Sequence, residues 1–401
     1  MPEERIVLKN CGIIDPRNIN TCLAQDGFKA LRNAWEMAPE QVVQIIKDSG
    51  LRGRGGAGFP SGLKLELASK APGDEKYVIC NADEGEVGTF KDRYILERDP
   101  FTLVEAMAIV GYAVGARKGY IYLRAEYHYL LKLLLNAIAQ AKGKGFLGDG
   151  EHKFDIEVRE GAGAYVCGEE SALMESIEGR RGESRYRPPF PPTQGLFGMP
   201  TTINNVETLM NIPRIVLNGA DWFNQMGTER SKGTKVFSVS GDVQKPGVYE
   251  LALGSPLREL VEGLALAEKV KMVQVGGASG RVLPSDKMDT PLSFENVLGA
   301  GAIIVFDESR DVIDIARKTM EFFAEESCGK CAPCRQGNEA LLEMLERFSE
   351  GQGLREDIKA LQDVSSAMML ASLCGLGQAS PNVVMDTLQY FPDAYESRIV
   401  P

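Results

Sequence analysis

The sequence predicts an α/β domain with a mostly parallel sheet, then a small α+β domain, then a helical C-terminal region. Short apolar strand patterns alternate with amphipathic helical patterns up to about residue 230. Strand patterns dominate from there to about residue 310, and helical patterns follow to the end. We therefore expect three domains, at 1–230, 231–310 and 311–401.

The individual elements follow from apolar periodicity and from the residues that interrupt it. In the first domain the predicted helices are 40–49, 62–69, 101–115, 127–142 and 169–177, and the predicted strands are 77–80, 120–123 and 154–158. In the second domain the predicted strands are 235–240, 247–251, 272–275 and 303–306, with one helix at 256–263. From about residue 311 the chain is predicted to be helical, interrupted by a cysteine loop at 328–334.

Composition excludes several functional classes. The formal charge of −11 over 401 residues argues against nucleic acid as a partner, because nucleic-acid-binding domains carry a basic surface. No apolar run approaches the roughly 18 residues that a membrane span needs, so we expect no direct membrane insertion. The opening residues 1–5 lack the pattern of a secretory signal, which predicts a cytoplasmic protein.

Cysteine spacing gives the most specific local signal. Cys328, Cys331 and Cys334 form a C-x2-C-x2-C motif, and Cys374 lies in a second, glycine-flanked loop. Three thiolates in one turn plus a distant fourth are typical of a [4Fe–4S] cluster. Zinc, which more often takes paired C-x2-C hooks, and plain structural thiols are the alternatives. The other cysteines are isolated and are expected to be buried free thiols: Cys11, Cys22, Cys80 and Cys167.

A glycine-rich loop at 53–58 matches G-x-G-x-x-G but lacks the setting of a dinucleotide fingerprint. That fingerprint needs a strand before it and a helix directly after it, whereas a helix precedes this loop and Pro60 follows it. The small residues would still let backbone amides approach a ligand, with Arg54 and Lys64 as cations for a phosphate. A tight structural turn is the alternative.

Two acidic clusters are candidates for binding hydroxyl groups. Residues 81–86 follow a predicted strand end, where ligands bind in α/β sheets, and residues 168–170 open a predicted helix. The alternative is that these carboxylates cap helices or face solvent. Asn204 and Asn205, placed at the start of a helix over 204–208, would either contact a ligand or cap that helix. Phe190, between prolines, would be an aromatic platform or part of a surface turn.

Together these segments resemble the NADH-binding flavoprotein subunit shared by respiratory complex I, soluble NAD-linked hydrogenases and NAD-dependent formate dehydrogenases. The resemblance extends from about residue 30 to about residue 390. It implies a Rossmann-like FMN domain, a ubiquitin-like β-grasp domain and a C-terminal helical bundle that holds a [4Fe–4S] cluster. Its carriers are residues 52–59, 81–86, 161–170, 200–208, 326–335 and 372–381.

The resemblance also implies residue roles. It implies hydride transfer directly between NAD(H) and FMN, with no side chain as catalytic acid or base. The implied FMN contacts are Gly53, Arg54, Gly55, Gly58, Lys64, Asn81, Asp83, Gly168, Glu169, Asn204, Asn205 and Thr208. The implied NADH contacts are Phe59, Glu84, Glu86, Tyr165, Glu170 and Phe190, and the implied cluster ligands are Cys328, Cys331, Cys334 and Cys374.

Two departures from relatives matter. Leu67 stands where many relatives have an aromatic residue, which would weaken stacking on adenine. The chain lacks the N-terminal thioredoxin-like and C-terminal ferredoxin-like extensions of longer relatives, so we expect the catalytic core alone. The opening at 9–16 is more similar to hydrogenase and formate dehydrogenase relatives than to complex I.

The sequence thus predicts a diaphorase subunit, an FMN-dependent NADH:acceptor oxidoreductase within a larger redox complex. Expected partners are a small thioredoxin-like [2Fe–2S] subunit and a larger iron–sulfur, hydrogenase or formate dehydrogenase subunit, with ferredoxin as a further candidate. The alternatives are an electron-bifurcating subunit, a respiratory complex I subunit, and a non-catalytic scaffold with structural zinc.

Overall fold

A four-stranded parallel sheet forms the centre of the first part of the chain. The computed structural model describes residues 5–401. The expectation of no secretory signal, which was drawn from residues 1–5, therefore lies partly outside the described residues. The strand order is β3-β2-β1-β4, and all three pairings are parallel. The carboxyl ends therefore meet at one edge, where Asn81 stands beside Asn205. The strands are β1 Tyr77–Ala82, β2 Lys118–Leu123, β3 Asp155–Glu160 and β4 Thr201–Asn205.

The helices of this part supply the crossovers that parallel strands require. Helix α6 is its core, with every residue buried except Tyr112. The Asp99 side chain accepts a 3.1 Å hydrogen bond from the Thr102 amide at its start, and Gly115, at φ 75°, ends it. The helices are α1 Ile19–Leu23, α2 Lys29–Trp35, α3 Pro39–Asp48, α4 Ser61–Lys70, α5 Lys91–Arg98, α6 Pro100–Val114, α7 Leu131–Gly143, α8 Glu170–Ile177, α9 Val206–Asn218 and α10 Ala220–Asn224.

Several elements of the first part differ from the sequence prediction, among them the short helices α1, α2, α5 and α10, which were not predicted. The predicted helix 127–142 begins as a separate 3-10 turn, Ala125–Leu130, before α7. Strand β4 was not predicted because it is only five residues long and its sequence, TTINN, does not alternate between apolar and polar residues. Asn204 consequently lies in a strand rather than in a helix. Asn205 caps α9, and its side chain accepts a 3.0 Å hydrogen bond from the Glu207 amide.

A five-stranded mixed sheet follows, in the order β6-β5-β9-β7-β8. Strands β5 and β9 are parallel and the other pairs are antiparallel. The four predicted strands are present, whereas the four-residue β8 was missed. The predicted helix 256–263 is present as a short helical segment, which is π-helical over Glu259–Leu264. The strands are β5 Thr234–Gly241, β6 Gly247–Ala252, β7 Val270–Val275, β8 Arg281–Pro284 and β9 Ala302–Asp307.

The last part of the described chain is helical, as predicted. The cysteine motif lies at the junction of α11 and α12, and Cys374 lies between α13 and α14. Across residues 5–401, no helix combines the length and the apolar character needed to cross a membrane. The helices are α11 Val312–Glu326, α12 Ala332–Ser349, α13 Arg355–Ala371, α14 Gly375–Ala379, α15 Asn382–Tyr390 and α16 Pro392–Glu396.

Buried carboxylates join the parts of the chain. Glu250 of β6 accepts hydrogen bonds from three backbone amides of the N-terminal segment, at 2.9–3.1 Å, and one from Thr234. Asp386 of α15 binds Arg281 and the Val282 amide at the β8 edge. These two carboxylates thus fix the N-terminal segment to the second sheet and the second sheet to the helical region.

Candidate functional site

The glycine loop lies over the carboxyl edge of the parallel sheet. The amide of Gly53 donates to Phe59 O at 2.8 Å, which closes the loop. A Cβ atom on Gly55 would lie 3.0 Å from Asn205 Cβ, and Gly56, at φ 118°, lies against Ala300 in the segment just before β9. The close approach at Gly55 and the positive φ at Gly56 both favour glycine, so the loop is a backbone cradle at the edge where parallel sheets bind ligands.

Arg54 does not supply the free cation that the sequence suggested. Its side chain is fully buried and donates to three carbonyl oxygens, among them Lys232 O at 2.6 Å and Thr234 O at 3.0 Å. Burial lowers the pKa of the Arg54 guanidinium to about 10. Its amide donates to Thr208 Oγ1 at 2.8 Å, so both side chains hold the loop in shape.

Lys64 is the cation that remains at this edge. Its Nζ donates to Ile203 O at 2.8 Å at the end of β4, and lies 5.9 Å from the centre of the Phe59 ring. Burial lowers the pKa of the Lys64 ammonium, while Glu170, 3.7 Å away, raises it. The Glu170 carboxylate also lies 3.2 Å from Arg187 Nη1. This carboxylate is therefore flanked by two cations.

The end of β1 presents a buried acceptor without a partner. Asn81 donates to Gly168 O at 2.9 Å and accepts from the Asp83 amide at 3.0 Å. The Oδ2 atom of Asp83 is buried and has no hydrogen-bond partner in the described chain. Burial raises the pKa of Asp83 to about 7. An unpaired buried carboxyl oxygen beside a glycine cradle fits a ligand that brings hydroxyl groups, as the ribityl chain of FMN does.

Glu84, expected to face NADH, points into the protein instead. It is 5% exposed and accepts hydrogen bonds from the first amides of α5, those of Asp92 and Arg93, at 2.8 and 3.0 Å. The Tyr127 hydroxyl adds a third, at 2.9 Å. A carboxylate at a helix N-terminus is stabilised by the chain itself, and a nucleotide contact for Glu84 stays a prediction.

Glu86 and Tyr165, two further predicted NADH contacts, lie together. The Tyr165 hydroxyl donates to Glu86 Oε2 at 2.9 Å, and the same carboxylate accepts bonds from the amide and hydroxyl of Ser279. Burial raises the pKa of Glu86, against the lowering effect of these bonds. Ser279 belongs to the second sheet, 193 residues from Glu86, so sequence reasoning had no signal for it.

The remaining predicted contacts divide into two kinds. Glu169 caps α8, accepting from the amides of Ser171 and Ala172 at 3.0 Å, and it pairs with Arg187. Asn204 is 5% exposed and donates to Thr202 Oγ1 at 2.9 Å, inside the strand. The aromatic rings are different, because Phe59 and Phe190 are 44% and 54% exposed and are free to stack on a ligand. Leu67 is exposed to a similar degree.

The four predicted cluster ligands surround one small cavity. Cys328, Cys331, Cys334 and Cys374 all line it, together with Lys330 and Val166. Gly329, at φ 76°, allows the tight turn between the first two thiols. A Cβ on Gly377 would lie 2.7 Å from Cys334 Cβ, so the second loop needs glycine there to approach the first. The other cysteines, at 11, 22, 80 and 167, are buried as expected.

This arrangement suits a [4Fe–4S] cluster. A cubane requires four thiolates around one volume, each binding its own iron, and the four cysteines line one such volume.

Comparison with known proteins identifies the class. Residues 46–214 match the Nuo51 FMN-binding domain, residues 236–282 match the SLBB domain, and residues 314–398 match the NADH-ubiquinone oxidoreductase-F iron-sulfur binding region. The chain belongs to the family of FMN- and [4Fe–4S]-binding NADH oxidoreductase subunits. The expected cofactors and enzyme class are thereby confirmed, and a scaffold with structural zinc is set aside.

Its relatives come from more than one kind of complex. It is 44% identical to NADP-reducing hydrogenase subunit HndC of Solidesulfovibrio fructosivorans, over 98% of this chain and 83% of the relative. It is 42% identical to an NADH-quinone oxidoreductase subunit of Rhizobium meliloti, over 99% and 98%. It is 45% identical to the NAD-reducing hydrogenase HoxS subunit alpha of Cupriavidus necator, over 91% and 61%.

A solved structure shows the same fold. A chain of the NAD+-reducing [NiFe]-hydrogenase, crystallised in the H2-reduced state, superimposes with a TM-score of 0.86 at 44% sequence identity. The match covers 90% of this chain and 63% of the hydrogenase chain, so that chain is considerably longer. The similarity supports the expected fold class and the expectation that this chain works as one subunit of a multisubunit redox enzyme.

Proposed function

We propose that this chain is the diaphorase subunit of a hydrogenase- or formate dehydrogenase-type complex, and that it exchanges hydride with NAD(H) and single electrons with partner subunits. Bound FMN would accept a hydride and release electrons singly, and the cluster would accept them one at a time. The chain's own part is to bind both groups, to orient the nucleotide and to bring the two sites close together.

One short turn carries this proposal. At one end of Tyr165–Gly168, the Gly168 carbonyl accepts the hydrogen bond from Asn81 at the flavin edge, at 2.9 Å. Within the same turn, Val166 lines the cavity of the four cysteines. At the other end, the Tyr165 amide donates to Glu326 Oε2 at 2.9 Å, just before the cysteine motif. A single turn thus borders both cofactor sites, which gives electrons a short path between them.

The flavin-binding roles follow from these placements. The amides of Gly55 and Gly58, with Lys64, would hold the phosphate, because exposed backbone amides and a nearby cation bind anions. Gly53, whose amide donates to Phe59 O, would keep the loop closed around it. Asp83 would accept a hydrogen bond from a ribityl hydroxyl. Arg54, Asn204 and Thr208 would act from behind, by holding the cradle in shape.

The nucleotide would bind above the flavin edge. Phe59 and Phe190 would stack on its rings, and Glu86, Tyr165 and Glu170 would contact its polar groups. We further propose domain boundaries near residues 230 and 310, in the chain segments between α10 and β5 and between β9 and α11.

The proposed partners follow from the two-site arrangement. A thioredoxin-like [2Fe–2S] subunit and a larger iron–sulfur subunit would bind near the cysteine loops, and ferredoxin remains a further candidate. Relatives from hydrogenases and from quinone oxidoreductases are 42–45% identical, so identity alone does not choose between these complexes.

Affinity purification of the tagged chain from its native host tests the proposal. The recovered complex should reduce NAD+ with hydrogen or formate as electron donor. The same complex with Cys374→Ser should lose this coupled turnover while NADH still bleaches its flavin. A Cys80→Ala complex is the matched control, because Cys80 is buried away from the cavity and should retain turnover. Recovery of a complex that reduces only quinone would reject the hydrogenase and formate dehydrogenase assignment.

A further inference from the structure

A buried cluster of four charged side chains lies behind the glycine loop. It consists of Lys91 and Asp92 of α5, Glu207 of α9 and Lys235 of β5, and we call it the buried ion cluster. Each of the four is at most 2% exposed. Lys91 Nζ lies 2.7 Å from Asp92 Oδ1 and 3.0 Å from Glu207 Oε2, and Lys235 Nζ lies 2.6 Å from the same Glu207 oxygen. None of these residues was among the predicted site residues.

Residues of the buried ion cluster form hydrogen bonds with both polar atoms of the Asn205 side chain. Asn205 Oδ1 accepts hydrogen bonds from Lys91 Nζ at 3.3 Å and from the Glu207 amide at 3.0 Å. Asn205 Nδ2 donates to Asp92 Oδ2 at 2.6 Å. Because Asn205 closes β4 and lies beneath Gly55, these bonds reach the floor of the glycine cradle.

The charges allow only one orientation of the Asn205 amide. A 180° flip would place its NH2 group against the Lys91 ammonium and its oxygen against the Asp92 carboxylate. Both contacts would be repulsive in a site that excludes water. An amide NH2 carries two N–H donors, and among residues 5–401 only Asp92 accepts from that of Asn205. One N–H therefore remains for a ligand in the cradle.

We propose that Lys91 and Asp92 are positioning residues for the flavin, which act by fixing the Asn205 amide so that its second N–H is reserved for the bound cofactor. This inference rests on the proposed function, because it takes FMN to be the ligand of the cradle. Lys91 has a second effect. Its ammonium group donates to Asn205, which lies between it and the cradle. This positive charge favours the electron-rich reduced flavin over the oxidised form.

The two lysines of the buried ion cluster are not equivalent. Burial alone would lower the pKa of Lys91, but Asp92, Glu207 and Glu84 raise it above its ordinary value. Burial lowers the pKa of Lys235 to about 7, although Glu207 opposes this. Lys91 is therefore a permanent cation near neutral pH. Lys235 shares its burial and its Glu207 partner but makes no contact with Asn205, which makes it a matched control.

The test compares Lys91→Gln, Lys91→Arg and Lys235→Met in the purified full chain. FMN release on dilution, followed by flavin fluorescence, gives the Kd of the oxidised cofactor, and a redox titration gives its midpoint potential. Lys91→Gln should raise Kd about tenfold, because the hydrogen bond from the Asn205 amide to the flavin would no longer be well oriented. If the reduced form is weakened a further tenfold, the midpoint falls by about 30 mV. Lys91→Arg should restore most of both values, and Lys235→Met should leave both unchanged.

A purely structural role would give a different pattern. Lys91→Gln and Lys235→Met would then lower thermal stability alike while both kept the wild-type Kd and midpoint, and the inference would be wrong. If Lys91→Gln does not fold, the neutral pair Lys91→Gln with Asp92→Asn takes its place, with the same rise in Kd expected and an unchanged Kd contradicting the inference. A wild-type chain that binds no FMN would instead reject the proposed function.

Discussion

Arg187 Nη1 lies 3.2 Å from Glu170 Oε1, and this pair sets the charge of the predicted nucleotide edge. Lys64 lies 3.7 Å from the other oxygen of the same carboxylate. The Glu170 carboxylate thus pairs with two cations, Lys64 and Arg187, that could otherwise bind the 2′-phosphate of NADPH. A relative named as a subunit of an NADP-reducing hydrogenase is 44% identical, and one named as a subunit of an NAD-reducing hydrogenase is 45% identical.

We expect the chain to prefer NADH and Glu170→Gln to weaken that preference. The substitution removes a repulsive charge and one of the two carboxylate partners of Arg187, which keeps its pair with Glu169. The kcat/KM for NADPH should therefore rise at least several-fold, up to about tenfold for 1.4 kcal/mol. Activity with NADH should be largely retained. The control is Glu183→Gln, which removes a carboxylate close to Arg187 in the chain. Glu183 pairs with Lys330 at 3.1 Å and not with Arg187. An unchanged NADH/NADPH ratio of kcat/KM would mean that the nucleotide ribose lies elsewhere.

The second prediction concerns Asp83 and pH. Burial raises the pKa of Asp83 to about 7 in the folded chain, against about 4 in an unfolded chain. The folded chain thus binds more protons between about pH 4 and pH 7, so the stability that Asp83 contributes is complete below this window and is lost as pH rises through it. In FMN-depleted protein, Asp83→Asn should remove this loss, and its Tm should rise relative to wild type between pH 5 and 7.5. If the Tm of Asp83→Asn followed the same pH dependence as that of wild type, the assignment would be contradicted. Asp74→Asn, at an exposed position, is the control and should follow the wild-type pH dependence.

The third prediction concerns Glu250, which binds the N-terminal segment. Glu250→Ala would leave three backbone amides without their acceptor, each at 2.9–3.1 Å in the native structure. Leaving buried donors unpaired costs on the order of 1–3 kcal/mol each, of which solvent would recover part, so we expect a loss of about 3 kcal/mol. Urea denaturation followed by fluorescence measures it. The exposed Glu268→Ala should change the midpoint little, and an equal effect of both substitutions would show that Glu250 carries no such role.

The fourth prediction concerns the cluster ligands. Replacement of any one of Cys328, Cys331, Cys334 or Cys374 by serine should remove most of the iron and leave FMN in place, because the flavin cradle lies in a different part of the chain. Iron analysis and flavin absorbance on the same sample measure both. Full iron retention in Cys374→Ser would assign the fourth ligand to another residue, and zinc at one equivalent would restore the single-ion alternative.

The fifth prediction is that the flavin is FMN and not FAD. The cradle offers one glycine loop with Lys64 beside it, which suits a single phosphate, and the loop lacks the strand-loop-helix setting of a dinucleotide fingerprint. Acid extraction followed by chromatography identifies the cofactor. Stoichiometric FAD in the extract would show that the cradle accepts a second phosphate and a nucleoside.

The sequence predicted what is local and missed what depends on distant contacts. The cysteine motif, helix α6 and most strands follow from spacing and periodicity within about 20 residues. Residue type could not show that Arg54 turns to backbone carbonyls or that Glu84 caps α5, because a buried and a ligand-facing side chain look the same in sequence. Ser279 reaches Glu86, and Lys235 reaches the buried ion cluster, only through the packing of the second part of the chain, 193 and 28 residues from their partners.

Anaerobic titration of the purified chain with NADH tests the central claim most directly, with absorbance and low-temperature electron paramagnetic resonance recorded on the same samples. The account predicts that about 1.5 equivalents of NADH, or three electrons, bleach the flavin bands and produce a reduced [4Fe–4S] signal, because the flavin takes two electrons and the cluster one. The turn Tyr165–Gly168 borders both proposed sites. The signal should be absent from Cys374→Ser, in which the flavin still bleaches. Flavin bleaching in the wild-type chain with a cluster that artificial reductants reduce but NADH does not would contradict the proposed electron path.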